Sequence, residues 1–348
     1  MIIKYLTSFV TTFSLSALFM ISAIYLAGKI PWKGRRSERH IHLNSNGKIF
    51  RVGGLAMIAA FNLAIFLSKD LFISPELYAV MAATILLMII GTWDDFEEMD
   101  WRVQLFFQVA IAVMIFIMGV KIHFVTNFFS GGIIDLNSGI GILVSAALVI
   151  VWIVLVINSM NWLDGIDGLS GGVAFIGALT IFFLSLKPEV NQLPVAILAM
   201  ILAGSILGFL IFNFNPSRVL AGTSGSMFMG FFLAVLAIFS GTKIATAMLV
   251  LALPILDSLW VIGERIKNKK SIFKPDKNHL HHKLLALGWS QRKISVLFYS
   301  IAAIMALVAL NTRAIGKSIS FLFVALVMGA FLVIVSKKIN KLNIANEK

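Results

Sequence analysis

The sequence predicts an all-α integral membrane protein, a polytopic bundle of about ten or eleven transmembrane helices whose functional loops face the cytoplasm. Hydrophobic residues make up 59% of the 348 residues and charged residues only 13%, whereas soluble domains carry about 25% charged residues. The charges fall in short groups between apolar segments, many of them near the ~20 residues that a helix needs to cross a bilayer. These observations favour a single domain over residues 1–348.

Eleven apolar segments are candidate spans. They are residues 5–28, 53–68, 75–93, 103–120, 138–160, 170–186, 192–213, 224–240, 244–263, 294–311 and 318–336. Several are short or contain glycine, so ten is the alternative count. The first is followed by Lys29 and Pro31 instead of a small-residue cleavage site, which predicts a retained helix. For the long connection 121–137 we expect a short hairpin or an interfacial helix.

The basic residues predict the orientation of these spans. One side of the predicted path consists of residues 29–52, 94–102, 161–169, 214–223, 264–293 and 337–348. It holds 22 of the 29 lysine and arginine residues, and basic loops stay in the cytoplasm. The basic loop 264–293 and the basic tail 337–348 are therefore expected to be cytoplasmic, with the N-terminus outside. This bias and attraction to anionic lipid explain the net charge of +13 without a nucleic-acid partner.

Acidic residues concentrate at the end of the third predicted span. Five of the sixteen acidic residues lie between Asp94 and Asp100, with Asp94 and Asp95 adjacent. Like charges beside a low-dielectric membrane repel one another unless something neutralises them. Hard oxygen ligands of this kind suit Mg²⁺ or Mn²⁺. A solvated acidic loop is the structural alternative.

A second polar cluster ends the fifth predicted span on the same side. It contains Asn158, Asn161, Asp164 and Asp167. The two asparagines are about one helical turn apart and project from one face, and nearby glycines let the backbone approach a ligand closely. Polar residues in this position are costly unless they have a role. Helix capping and hydrogen bonds between helices form the alternative.

Two further motifs carry polar or basic side chains on the predicted cytoplasmic side. Asn213 precedes a glycine and serine turn at 222–226 that opens the eighth span, where either a helix cap or a phosphate site is expected. The basic loop contains His279, His281 and His282 among lysines. For these histidines we favour binding of a diphosphate over a transition metal or a hydrated loop. The absence of cysteine excludes disulfides and cysteine metal sites.

In this order, the motifs resemble those of the polyprenyl-phosphate N-acetylhexosamine-1-phosphate transferases, the superfamily that also contains the phospho-MurNAc-pentapeptide translocase. The resemblance extends from about His40 to His282. It covers Arg39-His40 with Gly53-Gly54, the pair Asp94-Asp95, the run from Asn158 to Gly168, the run from Asn213 to Ser226, and the loop from His279 to His282.

The resemblance implies an enzyme that moves N-acetylhexosamine-1-phosphate from a UDP-sugar to undecaprenyl phosphate, releasing UMP. The product would start a lipid-linked cell-surface glycan such as O-antigen, capsule or teichoic acid. Mg²⁺ is the family's metal, with Mn²⁺ an alternative. The implied location is the bacterial cytoplasmic (inner) membrane, with the active site facing the cytoplasm and membrane lipid as a partner. The oligomeric state stays open, a homodimer included.

The family motifs assign roles to individual residues of this chain. The implied catalytic residues are Asp94, Asp95, Asp164 and Asp167. The implied metal ligands are Asp95, Asp167 and the residue at position 223. The implied substrate-binding residues are Arg39, His40, Asn158, Asn161, Asn213, Ser226, Arg265, His279, His281 and His282.

One residue departs from the family pattern, and it keeps alternatives open. The family has an aspartate where this chain has Thr223, and a neutral hydroxyl cannot replace a carboxylate's charge. A catalytically impaired enzyme or a binding-only relative is therefore one alternative. A proton-coupled secondary transporter is another, with Asp257 as the one acidic residue expected deep in a span. A CDP-alcohol phosphotransferase is disfavoured because Gly168 is followed by Leu169 and Ser170.

Overall fold

A computed structural model describes residues 2–29, 49–126, 132–240, 243–271 and 278–346, with the backbone alone over 340–346. Its helices are α1 (Ile2–Lys29), α2 (Gly53–Leu67), α3 (Pro75–Glu97), α4 (Trp101–Ile117), α5 (Ile140–Leu163), α6 (Leu169–Ser185), α7 (Leu193–Asn213), α8 (Gly222–Phe239), α9 (Ile244–Val250), α10 (Ala252–Lys267), α11 (Leu280–Ala286), α12 (Gln291–Asn311) and α13 (Ala314–Asn346). Strands β1 (Phe124–Thr126) and β2 (Ile133–Asp135) pair antiparallel, so the connection 121–137 contains a hairpin.

The predicted all-α polytopic membrane fold is confirmed. Seven described helices are long and apolar enough to cross a membrane, namely α1, α3, α5, α7, α8, α12 and α13. Helices α9 and α10 together form a bent eighth candidate, and α2, α4 and α6 are shorter apolar helices. Each of the eleven predicted segments thus corresponds to a described helix or helix pair, and by length and composition seven of them, or eight with the bent pair, qualify as full spans.

The ninth predicted span is broken instead of continuous. Helix α9 ends at Val250, α10 begins at Ala252, and the two axes differ by 79°. Pro254 explains the position of the break, because proline has no N–H for the bond to the carbonyl of Val250 and its ring clashes with that carbonyl. The break directs α10 toward α13 and the basic loop.

Helix α8 lies at the centre of the bundle. In its most apolar stretch 89% of the residues are buried, against 17% in α1 and in α13. The ring of Phe61 on α2 packs edge-on against Phe228 and Phe232 of α8, with ring centroids 5.2 and 4.3 Å apart. Because α8 begins with the glycine and serine turn, this packing holds the turn against its neighbours.

One face of the bundle collects the polar motifs. Helices α3 and α5 end there, whereas α6, α8 and α12 begin there, as contacts among their terminal residues establish. The segment before α2 joins this face through a parallel bridge between Phe50 and Val219. The acidic, asparagine and glycine motifs are therefore brought to one end of the bundle, as the alternating path predicts.

Candidate active site

Asp94 and Asp95 lie in the last turn of α3, against the first turn of α8. The Thr223 hydroxyl donates to Asp94 Oδ2 at 2.6 Å. The Thr223 N–H donates to both Asp95 carboxylate oxygens, at 3.0 and 3.1 Å. Both carboxylates are buried, and the Arg51 guanidinium lies 3.6 Å from Asp95 Oδ1. We call Asp94, Asp95 and Thr223 the carboxylate corner.

The carboxylate corner uses the N-terminal end of α8 to stabilise charge. The first N–H groups of a helix have no partner within the helix and carry partial positive charge. Asp95 accepts the N–H of Thr223 from a neighbouring helix and so caps α8. The sequence left open whether this turn is a helix cap or a phosphate site. At Thr223 the contact is a helix cap, and the Asp95 carboxylate is the acceptor.

Three glycines permit the close approach of helices at the carboxylate corner. Gly222 has φ of +69°, a conformation that L side chains rarely adopt. A Cβ on Gly222 would lie 2.3 Å from Asp95 Oδ2. Cβ atoms on Gly54 of α2 and Gly91 of α3 would come within 2.2 and 2.3 Å of atoms of Ser224. The three helices therefore meet at distances that larger residues would prevent.

Asp167 joins the connection before α6 to the connection before α8. Its Oδ2 accepts from Asn215 Nδ2 at 2.9 Å and from the Ser217 N–H at 3.1 Å. The Gly168 N–H donates to Asn213 Oδ1 at 3.0 Å. Asp167 is 5% exposed, so these donors contribute to balancing its charge. Asp167 and Asn213 thus hold two polar loops in a fixed relation.

The histidine loop, residues 279–282, reaches the aspartate run that follows α5. His281 is fully buried and packs on Gly165, where a Cβ would lie 2.3 Å from the histidine Nε2. The rings of His281 and His282 are 4.1 Å apart between centroids. Asp164, next to Gly165, accepts from Ser170 Oγ at 2.5 Å. The histidine loop and the aspartate run therefore lie against each other.

Asp257 on α10 fixes the start of the histidine loop. Its Oδ2 lies 2.8 Å from His279 Nδ1, and its Oδ1 accepts the Leu280 N–H at 2.8 Å. Buried Arg265, one of the predicted substrate-binding residues, has its guanidinium 5.8 Å from the centre of the Trp162 ring. Asp257 therefore lies beside the loop, which argues against the deep proton-relay position that the transporter alternative assigned to it.

Asn158 and Asn161 make bonds between helices. Asn158 Nδ2 donates to Gln108 Oε1 of α4 at 2.6 Å. Asn161 Oδ1 accepts from Ser226 Oγ of α8 at 2.8 Å. Hydrogen bonds between helices were the alternative to a ligand-binding role for these two asparagines, and both make such bonds. The Asn161 bond also brings the fifth helix to the turn of α8 that carries the carboxylate corner.

Some predicted residues are not in this arrangement, and others were missed. Arg39 and His40 lie outside the described residues. Arg51 was not predicted as a site residue, although a cation two residues before the Gly53-Gly54 motif was an available signal. Gln291 was also missed. It accepts from the Asp167 N–H at 3.3 Å, a contact across distant segments that no local pattern reveals.

The carboxylate corner fits a magnesium ion that brings part of its coordination shell with it. Mg²⁺ is commonly bound through one or two carboxylates, completed by substrate phosphates and water. Asp94 and Asp95 provide two adjacent carboxylates, and Thr223 adds a hydroxyl where the family has a third. Among the described residues, no group of three or more histidine or acidic side chains is placed to hold a metal. Residues Asp94 and Asp95 therefore suit a cation shared with a phosphate ligand.

Comparison with known proteins agrees with the motif order. The sequence pattern of glycosyl transferase family 4 matches residues 77–241. A probable undecaprenyl-phosphate N-acetylglucosaminyl 1-phosphate transferase of Bacillus subtilis is 29% identical, covering 94% of this chain and 91% of its own. A decaprenyl-phosphate N-acetylglucosaminephosphotransferase of Mycobacterium leprae is 33% identical, covering 82% and 78%.

A relative with lower sequence identity also matches over most of the length of both chains. An undecaprenyl-phosphate alpha-N-acetylglucosaminyl 1-phosphate transferase of Yersinia pestis is 26% identical, covering 90% of this chain and 87% of its own. The family pattern over residues 77–241 includes the acidic pair, the run from Asn158 to Gly168 and the run from Asn213 to Ser226. The chain therefore belongs to the polyprenyl-phosphate N-acetylhexosamine-1-phosphate transferase family.

Proposed function

We propose that this protein transfers N-acetylhexosamine-1-phosphate from a UDP-sugar to undecaprenyl phosphate, releasing UMP and starting a lipid-linked cell-surface glycan. The observation that carries the proposal is the meeting of the carboxylate corner, the aspartate run and the histidine loop on one face. The names of the relatives support a polyprenyl phosphate acceptor and an N-acetylglucosamine-type group. The charge bias supports a cytoplasmic position for this face in a bacterial inner membrane.

The chemistry is an exchange of one phosphoanhydride bond for another. A phosphate oxygen of the lipid attacks the phosphorus that carries the sugar, a new P–O bond forms, and the bond to UMP breaks with its electron pair leaving on UMP. Such transfers depend chiefly on positioning and on stabilising charge. Bound Mg²⁺ would neutralise the diphosphate and the departing UMP, held by Asp94 and Asp95.

The remaining residues have positioning and binding roles in this proposal. Asp167 and Asn213 hold the loops around the site, and Asp164 lies beside the histidine packed on Gly165. Histidines of the loop and Arg265 supply donors and positive charge for the nucleotide diphosphate. A buried arginine can hold a phosphate through two parallel hydrogen bonds. These residues surround the anions without taking part in bond making.

A groove at the bent span supports a lipid acceptor. An opening of about 690 Å³ between α10 and α13 is lined mainly by apolar residues, Trp260, Met328 and Leu332 among them. It shares Glu264, Lys267 and Ser336 with a second opening of about 720 Å³, which reaches His282 and Lys283. An apolar chain with a phosphate end matches this change from apolar to basic lining.

The proposal is tested with purified full-length protein, radiolabelled UDP-N-acetylglucosamine, undecaprenyl phosphate and Mg²⁺. We expect label in the lipid fraction and an equal amount of UMP. Asp94→Asn should weaken the hold on Mg²⁺ and Asp167→Asn should loosen the loops around the site, and each should reduce transfer by at least about a hundredfold, the cost of misplacing reacting groups by about 1 Å. Near-normal rates in both variants would reassign these aspartates to the scaffold.

Thr223 favours one second candidate, a catalytically impaired member of the family. The active enzyme and the impaired family member are distinguished by comparing transfer by the natural chain with transfer by the Thr223→Asp variant. Label from both the natural chain and the variant supports the active enzyme, and label from the variant alone supports impairment. No label from either, with a relative from Bacillus subtilis active in the same assay, would contradict the enzyme proposal altogether.

A further inference from the structure

Four basic residues meet at the face opposite the carboxylate corner. Lys187 follows α6, Lys243 precedes α9, and Arg313 and Lys317 lie where α12 leads into α13. Helices α6, α8 and α12 all begin on the active-site face, so their other ends reach the opposite face. A helix of α8's length spans ~27 Å at 1.5 Å per residue. We call these four residues the basic cluster.

Lys317 is the buried member of the basic cluster. It is 9% exposed, and its Nζ donates to Thr246 Oγ1 at 2.6 Å. Lys187 Nζ donates to the carbonyl of Leu310 in the last turn of α12. The Lys243 carbonyl accepts the Thr246 N–H at 2.9 Å, so Lys243 lies one turn from the hydroxyl that holds Lys317. The three lysines therefore come from three separate connections and share one small region.

In the described part of the chain no carboxylate forms an ion pair with the basic cluster, and Glu189, two residues after Lys187, is exposed. The ion pairs found there join Arg51 to Asp95, His279 to Asp257 and Lys283 to Glu264, all away from the basic cluster. Like charges held together without a counterion destabilise a protein at the membrane boundary.

Extension of the side chain into water is the simplest alternative for a lysine at a membrane interface. The burial of Lys317 argues against it, because the ammonium group points to Thr246 and stays within the bundle. An ammonium group has three donors, and one donor on each of Lys187 and Lys317 is used by the protein. The remaining donors suit an oxyanion that accepts from several directions.

We propose that the basic cluster is a binding site for a phosphate group at the face opposite the active site. Charge-assisted hydrogen bonds from several lysines would hold it, with exposed Arg313 at the rim. Basic pockets between transmembrane helices on the cytoplasmic side take anionic lipid headgroups, and anionic headgroups of the other leaflet offer the same chemistry to this cluster. The phosphate comes either from an anionic phospholipid of that leaflet or from solution. This site is independent of the proposed transfer reaction.

Native mass spectrometry of the full-length protein in detergent tests the site. Phosphatidylglycerol should remain bound at concentrations where phosphatidylcholine dissociates. Lys317→Met should lower the affinity for phosphatidylglycerol roughly fivefold, which corresponds to about 1 kcal/mol for one basic residue. Lys243→Gln, at a half-buried position, should have a similar effect, and Lys69→Gln, an exposed lysine on the same face, should have none.

Inorganic phosphate separates the two sources. If phosphate alone displaces the lipid at millimolar concentration with the same dependence on Lys317, the site takes phosphate from solution. If phosphate has no effect, the lipid headgroup is the ligand. Equal retention of the two lipids would overturn the proposal. So would equal losses in Lys69→Gln and Lys317→Met, or a loss in Lys317→Met without one in Lys243→Gln.

Discussion

Thr223 is the residue on which the chemistry of the carboxylate corner depends. It donates its hydroxyl to Asp94 and its N–H to Asp95, so it stabilises two negative charges with uncharged groups. An aspartate side chain at this position would accept where the Thr223 hydroxyl donates, whereas the backbone N–H to Asp95 would remain. The aspartate would add a third carboxylate beside Asp94, and the repulsion would require a cation. Replacing Thr223 by aspartate would therefore turn a corner stabilised by hydrogen bonds into one whose stability depends on a bound cation.

Thr223→Asp should make stability depend on divalent cations. Without Mg²⁺ the variant should unfold at a lower temperature than the natural chain, because three carboxylates repel one another. Millimolar Mg²⁺ should restore much of that loss and stabilise the variant more than the natural chain, since a ligand that binds only the folded state raises stability by mass action. Thermal unfolding in detergent with Mg²⁺ or EDTA measures both effects. Equal Mg²⁺ responses in the two proteins would contradict this account.

At the scale of elements, the active-site face is built from helix ends that meet across long sequence separations. The apolar segments predicted the described helices apart from α11, with α9 and α10 merged into one, because length and hydropathy are local properties. The bend at Leu251 could not be predicted from apolar length. The contacts of Asp257 with His279 and of Asp167 with Ser217 depend on how helices pack, which no single segment encodes. Asn158 shows the same limit, because its partner Gln108 lies on another helix.

Gly222→Ala should disturb the junction of α3 and α8. The added Cβ would lie 2.3 Å from Asp95 Oδ2, at a backbone φ of +69°, so Asp95 must move or the turn must change. We expect a loss of about 1–3 kcal/mol in stability and at least a tenfold loss in transfer rate. Gly28→Ala is the matched control, since nothing lies within 4 Å of a Cβ there. Similar unfolding temperatures for the two variants would contradict the close approach.

Asp257→Ala should release the beginning of α11. The carboxylate holds His279 and the Leu280 N–H, and hydrogen bonds to a charged group contribute about 1.5–3 kcal/mol each. Hydrogen exchange of the amides of α11 should accelerate at least tenfold, and KM for the UDP-sugar should rise more than kcat falls. Asp70→Ala, at an exposed turn, serves as the control. Unchanged exchange in α11 would mean that packing alone holds the loop.

At the scale of the whole molecule, the two membrane faces of the protein differ in charge and in structure. The face with the carboxylate corner carries most of the basic residues, and the opposite face carries the hairpin and the basic cluster. The composition and charge distribution were enough to predict this division. They could not predict that four of the seven basic residues of the opposite face would gather in one place, because their connections are far apart in the chain.

The orientation can be measured because the chain contains no cysteine. A single Asp70→Cys should react with a membrane-impermeant maleimide in intact spheroplasts, since it lies in the exposed turn between α2 and α3. A single Glu98→Cys, exposed just after α3, should react only after the membrane is broken. The reverse pattern would place the carboxylate corner outside the cell and contradict a cytoplasmic nucleotide substrate.

The central position of α8 has a consequence for how this protein can vary. In its most apolar stretch α8 has 89% of its residues buried by other helices, whereas α1 and α13 have only 17% and leave a broad outer surface to lipid. Lipid accepts any apolar residue, so exchanges among leucine, isoleucine and phenylalanine on the outer helices should be nearly neutral. The same exchanges in α8 change the volume beneath the turn that carries Thr223. Mutational drift should therefore be slow at the centre of this enzyme and fast at its rim, and a deep mutational scan would record the difference helix by helix.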